Sequence, residues 1–68
     1  METLADKLRL EISRVRDRIM PAYIIIGDAG HFALTNMRFD MDIAIKALAE
    51  HDATQCIHSL HSLQGYEK

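Results

Sequence analysis

Apolar residues in the first third of the chain recur at the spacing of an α-helix. The steps between them are four, four, three and four residues, and the positions are Leu4, Leu8, Ile12, Val15 and Ile19. This spacing places all of them on one helical face. Thr3 precedes the series and Asp6 follows Thr3 by three residues, as in an N-terminal capping box. The pattern predicts a first helix over residues 3–20.

The same apolar face continues beyond Pro21 as far as Ile26, where Gly27 follows. Proline removes one backbone hydrogen bond and crowds the carbonyl four residues earlier, so a kink is expected at Pro21. We therefore predict one long helix that is bent at Pro21 and ends at Gly27 in a left-handed conformation, with Asp28 capping the next helix. The alternative is a short strand at 23–26, which would have no second strand to pair with.

A second helix is predicted from about residue 29 to residue 50, with two apolar faces. The broad face consists of Ala33, Leu34, Met37, Met41, Ala44, Ile45 and Leu48. The opposite side carries charges of alternating sign at steps of four, namely Arg38, Asp42, Lys46 and Glu50. This alternation predicts ion pairs along the helix. The second apolar face lies beside the charges and consists of Phe32, Phe39, Ile43 and Ala47.

A third, shorter helix is predicted after Asp52, which precedes Gln55 by three residues in capping-box positions. Its single apolar stripe consists of Ala53, Cys56, Ile57, Leu60 and Leu63. Ser59 and Ser62 are expected on the exposed side, and the helix is expected to end near Gly65.

These elements predict one all-α domain over residues 1–68, in which two long helices form a hairpin and a short third helix folds against them. A chain of this size buries only about 60% of the surface that its unfolded form exposes, so it needs a further source of stability. The single cysteine, Cys56, excludes an intrachain disulfide. We therefore expect two copies to associate into a helical bundle. The predicted interface residues are Phe32, Phe39, Ile43, Met37, Met41, Leu8 and Ile12.

Charge and composition narrow the functional classes. The formal net charge of −2 argues against a dedicated nucleic-acid-binding protein, which usually carries a basic surplus. A lone cysteine is typical of a reducing compartment, so a cytoplasmic location is expected. The longest apolar run, 19–26, is too short to span a bilayer, which needs about 20 residues, and no signal peptide is recognisable.

Residues able to carry chemistry do not converge in the predicted arrangement. The segment GDAG at 27–30 lacks the pattern of a phosphate-binding loop or of a dinucleotide site. Four residues of metal-ligand type lie close in sequence: His51, Cys56, His58 and His61. A structural zinc site needs four convergent ligands, and the cysteine is expected in the apolar stripe, away from the histidines. We therefore predict no metal, no cofactor and no catalytic residues, with a weak metal site shared across a dimer as the alternative for the histidines.

The segments RIMPAYIIIGDAGHFALTNMRFD and KALAEHD resemble pieces of small all-helical proteins encoded in the early regions of transposable, Mu-like bacteriophages and related prophages. The resemblance covers much of the chain and rests on size and on the capping of its helices. It implies an accessory role, in which the protein binds a host regulatory or defence protein and inhibits it. No functional residues transfer from the resemblance.

The functional prediction is a non-enzymatic, homodimeric interaction protein whose partner-binding surface consists of Arg14, Arg18 and Tyr23. An alternative is a helical oligomer that traps an anionic small ligand or nucleotide between arginine side chains and Tyr23 or His31. A DNA-binding regulator is the third class. The stretch KALAEHDATQCIHSL has the outline of a helix-turn-helix, but its second helix offers no Arg or Lys to the bases.

Overall fold

A computed structural model describes residues 2–66, which are almost entirely helical. The α-helices are α1 (Leu4–Arg14), α2 (Met20–Ile26), α3 (His31–Glu50) and α4 (Ala53–Gln64). A π-helical segment, Val15–Ile19, joins α1 to α2, and a 3-10 turn, Gly27–Gly30, joins α2 to α3. Residues 2–66 contain no β-strand, so the all-α prediction is confirmed and the strand considered at 23–26 is wrong. No helix in this range is long and apolar enough to cross a bilayer.

The departure from α-helical geometry lies before Pro21 and not at it. In the π segment the N–H of Met20 donates to the carbonyl of Val15, five residues earlier. Proline has no N–H to donate, and its ring would crowd the carbonyl of Asp17 in a regular α-helix. A widened turn ahead of the proline accommodates the ring, and helical structure continues to Ile26. The predicted helix through Pro21 thus contains a π segment ahead of the proline, and the bend at Pro21 stays a prediction.

The corner between α2 and α3 differs from the prediction at three points. Gly27 has the expected positive φ of 79°, but its ψ of −136° lies outside the left-handed helical region. α3 begins at His31 and not at residue 29, because a 3-10 turn comes first. Gly30 occupies the N-cap position of α3 and no side chain caps that helix, so the predicted capping role of Asp28 is wrong.

The other helix ends follow the local sequence. Thr3 and Asp6 form the predicted capping box, in which the N–H of Asp6 donates to Thr3 Oγ1 at 3.1 Å and the N–H of Thr3 donates to Asp6 Oδ2 at 3.2 Å. The N–H of Gln55 donates to Asp52 Oδ1 at 3.1 Å, which caps α4. α3 ends at His51, which adopts a left-handed conformation with φ of 56° and ψ of 36°.

The hydrophobic core lies between α1, α3 and α4. Leu8, Met37 and Leu63 come from these three helices in turn, and none of them has exposed surface. The other buried apolar residues are Ile12, Val15, Ile19, Met20, Leu34, Ala44, Ala47 and Cys56. α4 packs against both α1 and α3. The short last helix therefore completes the core instead of covering its edge.

Three side chains lie differently from the prediction. Ile45 and Ile57, assigned to apolar faces, are 53% and 48% exposed, whereas Ser59 is buried. Because α4 lies between α1 and α3, the side of α4 that carries Cys56, Ser59 and Leu63 points inwards. The hydroxyl of Ser59 accepts a hydrogen bond from Gln55 Nε2 at 3.2 Å, which satisfies the buried oxygen.

Candidate interaction surfaces

Arg14 is predicted to bind a partner, but its guanidinium forms an ion pair and hydrogen bonds with other residues of the same chain. Its Nε lies 2.9 Å from Oε2 of Glu11. The same guanidinium donates to the carbonyl oxygens of Leu63 at 3.0 Å and of Tyr66 at 3.1 Å. Those oxygens lie at or just beyond the C-terminal end of α4, where few backbone donors remain, and the oxygen of Leu63 also accepts from the N–H of Tyr66 at 3.2 Å. We therefore assign Arg14 a structural role: it caps α4 and attaches it to α1.

Tyr66 ties the same end of α4 to α3. Its hydroxyl donates to Oδ2 of Asp40 at 2.5 Å. Partial burial of the phenol, together with this hydrogen bond to a carboxylate, raises the pKa of Tyr66 to about 12, because both favour the protonated form. Polar contacts thus run from α1 through the end of α4 to α3. Sequence analysis missed this pair, since the two residues lie 26 positions apart.

The other two residues predicted to bind a partner differ in exposure. Arg18 is exposed, and the ion pairs found within residues 2–66 involve Arg9, Arg14 and Arg16 but not Arg18. Tyr23 is half-buried and packs against the core. Of the three predicted residues, Arg18 therefore offers the most accessible charge.

The aromatic strip, which we define as Phe32, Phe39 and Ile43, is accessible to a second chain. Phe32 is 77% exposed and Phe39 is 65% exposed, while Ile43 is half-buried. All three lie on α3, and Ile43 lies nearest to α4, in a depression that Ala47 and Gln55 also line. Their role in an interface stays a prediction.

The remaining residues predicted for the interface lie in the chain's own core. Leu8 and Met37 have no exposed surface, and Ile12 is almost fully buried. Met41 is half-buried and packs against the same core. Because α4 lies against both α1 and α3, these side chains offer little or no surface to another chain.

The charged ridge on α3, defined as Arg38, Asp42, Lys46 and Glu50, does not form the predicted ion pairs. All four residues are exposed, and none is paired within residues 2–66. An exposed pair of this kind gains only about 0.3–0.5 kcal/mol, which is comparable to the entropy lost when two long side chains are fixed. The ridge therefore keeps its charges available beside the aromatic strip.

The isoleucine tip, defined as Ile24, Ile25 and Ile26, is an apolar surface that sequence analysis missed. These side chains are 57%, 86% and 57% exposed at the end of α2. Three consecutive helical residues spread over an arc of about 200°, so one neighbouring helix cannot cover them all. The prediction had assigned Ile26 to the buried face. The sequence does contain a signal for this surface, namely three consecutive isoleucines. Because one buried helical face can take only one of them, the others are expected to be exposed.

Gly30 allows α2 and α3 to approach closely. A Cβ atom at this position would lie 2.3 Å from the carbonyl oxygen of Tyr23, a distance that real Cβ atoms do not adopt. The opposing atom belongs to the backbone, so it cannot move aside as a flexible side chain would. This contact sets the position of the isoleucine tip relative to the start of the aromatic strip.

The surface depressions are open and do not assemble the predicted ligand-binding group. One depression of about 270 Å³ lies between the start of α1 and the α3–α4 corner, with Arg9, His51 and Cys56 in its lining. Another, of about 400 Å³, lies beside Arg14 and Arg18, but acidic residues of the same helix line it too. Neither Tyr23 nor His31 lines either depression. Within residues 2–66, no group of three or more His, Cys, Asp or Glu residues could hold a metal ion.

Comparisons of this chain with protein-family models, with curated proteins and with solved structures found no match. Function must therefore be inferred from the surfaces of the chain itself. The accessible surfaces, which neither the core nor the polar contacts use, include the aromatic strip, the charged ridge, the isoleucine tip and Arg18.

Proposed function

We propose that this protein is a non-enzymatic protein–protein interaction module, a cytoplasmic homodimer that binds a host regulatory or defence protein and inhibits it. The observation that carries the proposal is the aromatic strip. Two phenylalanines lie seven residues apart on one face of α3 and are 77% and 65% exposed. Aromatic residues are enriched at the buried centres of protein interfaces, where they act as anchors.

The apolar area of this strip is sufficient for a weak dimer. Burial of one phenylalanine contributes about 1.5–3 kcal/mol, so the four phenylalanines of a symmetric dimer contribute about 6–12 kcal/mol. The cost of association is of the same order, about 4–15 kcal/mol. The dimer is therefore expected to depend on protein concentration, and two hairpins joined in this way form the bundle expected from the sequence.

The isoleucine tip and Arg18 form the surface proposed for the host protein. They lie in the segment 15–26, whereas the aromatic strip lies on α3, and together they offer exposed apolar area and one exposed cation. The resemblance to accessory proteins of Mu-like phages supports a host-directed role. Inhibition would follow if the host protein used the same contact surface for its own partner.

Sedimentation equilibrium over a hundredfold range of concentration tests the self-association. We expect the wild-type chain to shift from monomer to dimer and Phe39→Asp to stay monomeric, because a buried carboxylate at the centre of the interface would be unpaired. Leu10→Asp is the matched control, since Leu10 is 60% exposed on α1, and it should dimerise like the wild type. A wild-type chain that stays monomeric, or a Phe39→Asp variant that dimerises normally, would contradict the proposal.

Co-purification from a lysate of the bacterial host tests the second surface. A host protein bound by the wild type and by Leu10→Asp should be lost with Ile25→Asp, while sedimentation shows that this variant remains dimeric. If Ile25→Asp retains the host protein at wild-type yield, the isoleucine tip is not its binding surface.

A further inference from the structure

We propose that the two copies meet through α3 in an antiparallel arrangement, with Phe32 of each copy against Ile43 of the other and Lys46 of each beside Asp28 of the other. This inference rests on the dimer proposed above and adds the orientation of its interface. A second copy of this chain is thus the occupant of the aromatic strip.

The spacing along α3 is that of a helix–helix seam. Phe32, Asn36, Phe39 and Ile43 follow one another at steps of four, three and four residues. At about 100° per residue, their side chains lie within an arc of about 60° on one side of the helix. Apolar residues at steps of three and four form the contact line of paired helices. Asn36 is exposed within this line and Ile43 is half-buried.

A parallel arrangement is opposed by charge. The seam continues beyond Ile43 at steps of three and four with Lys46 and Glu50. In a parallel pair, each residue of the seam faces its own counterpart, so Lys46 would face Lys46 and Glu50 would face Glu50. Neither side chain has an ion-pair partner within residues 2–66 that would offset this repulsion. Like charges placed opposite each other at an interface are destabilising.

An antiparallel arrangement removes this repulsion. When the two-fold axis passes level with the point between Met37 and Arg38, Phe32 faces Ile43 and Asn36 faces Phe39. Lys46 then comes level with the 3-10 turn of the other copy, which carries Asp28. Both of these charged side chains are exposed, and neither is paired within residues 2–66. The pairing is complementary, and the symmetry of the dimer provides it twice.

The two charges of this pair cannot interact within one chain. Asp28 and Lys46 are 18 residues apart along the 3-10 turn and α3, which corresponds to about 27 Å at 1.5 Å per residue. The screening length at 0.1 M salt is about 10 Å. Any energetic coupling between them must therefore act between two copies.

A charge exchange tests the pairing. Lys46→Asp and Asp28→Lys should each raise the dimer dissociation constant, measured by sedimentation equilibrium, by about fivefold to thirtyfold, because two surface pairs are lost together. The double variant restores both pairs in reverse, and its dissociation constant should return to within about twofold of the wild type. Lys7→Asp is the matched control: Lys7 is exposed on α1, and the change in net charge equals that of Lys46→Asp.

The distance between two spin labels measures independently whether the two α3 helices of the dimer are antiparallel or parallel. Labels attached at Glu50→Cys should lie about 35–40 Å apart in the antiparallel dimer and about 10–20 Å apart in a parallel one, from the helical rise. The wild-type chain, whose cysteine is buried, controls for labelling at Cys56.

The outcomes separate this inference from the dimer itself. Recovery in the double charge variant, together with the long label distance, supports the antiparallel seam. A double variant as weak as the single variants, or a short label distance, overturns the arrangement while the dimer stands. A wild-type chain that is monomeric at every concentration overturns the proposed dimer and this inference together.

Discussion

The molecule consists of a half with three helices and a half with two. In the first half, α4 packs against α1 and α3, and the core residues Leu8, Met37 and Leu63 are fully covered. In the second half, α2 packs against the start of α3 without a third helix over it, and the isoleucine tip and Phe32 are exposed. α4 is 12 residues long and α3 is 20, so α4 cannot cover the whole length of α3. Exposed apolar side chains are thus clustered where the third helix is missing, whereas in the three-helix half Leu10, Ile45 and Ile57 are exposed singly on three different helices.

The two halves also differ in their polar contacts. Arg14 and Tyr66 connect three helices at the end of α4, whereas α3 begins without a side-chain cap and α2 ends at Gly27. The three-helix half is stabilised within the chain. The two-helix half has surface left for another polypeptide, which accords with the proposed role as an interaction module.

Truncation of the core should give the largest contrast between the halves. Met37→Ala removes a fully buried side chain and should lower the free energy of unfolding by about 2–5 kcal/mol. Phe32→Ala removes a larger but exposed side chain from the same helix, and its effect should stay within about 0.5 kcal/mol in the monomer. Urea unfolding at a concentration where the chain is monomeric measures both. Equal losses would show that the two halves are equally packed.

Gly30→Ala tests the close approach of α2 to the start of α3 in the two-helix half. The added Cβ would meet the carbonyl of Tyr23, so α2 must move away from α3, at a cost of about 1–3 kcal/mol. Gly65→Ala is the control, because its new Cβ would lie no closer than 3.4 Å to a neighbouring atom. Thermal unfolding of both variants measures the difference. A Gly30→Ala variant as stable as Gly65→Ala would mean that α2 can move away from α3 without loss of thermal stability.

Arg14→Met tests the attachment of α4 to α1. The change removes a donor from Glu11 and from the carbonyl of Tyr66, while the carbonyl of Leu63 keeps the N–H of Tyr66 at 3.2 Å. We expect the free energy of unfolding to fall by about 1–2 kcal/mol. Arg16→Met removes a fully exposed pair with Asp17 and should cost less than about 0.5 kcal/mol. Chemical denaturation gives the comparison. If both arginines contribute equally, Arg14 is not the structural cap proposed for α4.

Tyr66→Phe should have the smallest effect, and its size should depend on pH. Loss of the hydrogen bond to Asp40 should cost about 0.5–1.5 kcal/mol near neutral pH. The folded pKa of about 12 lies above the usual value of 10.0, so this tyrosine stabilises the fold below pH 10 and loses that contribution as the pH rises towards 12.

Alkaline unfolding curves of the wild type and of Tyr66→Phe should therefore converge between pH 10 and pH 12. A difference between the two curves that stays constant across this range would contradict the coupling of the phenol to Asp40.

Features set by neighbouring residues could be predicted from the sequence. The capping box at Thr3, the cap at Asp52 and the helical stripe of α1 all depend on residues within one or two turns of each other. Arg14 could not be assigned in the same way, because the carbonyls that it binds lie 49 and 52 positions away. Ser59 was misplaced for a related reason, since the inward side of α4 depends on its position between two helices.

The candidate surfaces were predicted in part. The aromatic strip could be recognised because Phe32 and Phe39 fall outside the broad apolar face of α3. The isoleucine tip was missed, because its exposure depends on how far α4 reaches along the molecule. The closeness of α2 to Gly30 likewise depends on the crossing of two helices, which local patterns do not describe.

The π segment gives the helix a tolerance to a change in length that its regular parts lack. Its geometry amounts to one residue more than an α-helix of the same rise requires. Deletion of one residue within it, such as Arg16, would turn the five-residue hydrogen bond between Val15 and Met20 into a regular four-residue one, and Met20–Ile26 would keep nearly the same orientation around the helix axis. The same deletion within α1, where the winding is already regular, would turn the residues after it by about 100° relative to those before it. The chain could thus lose one residue in the π segment, but not elsewhere in this helix, without redirecting the isoleucine tip.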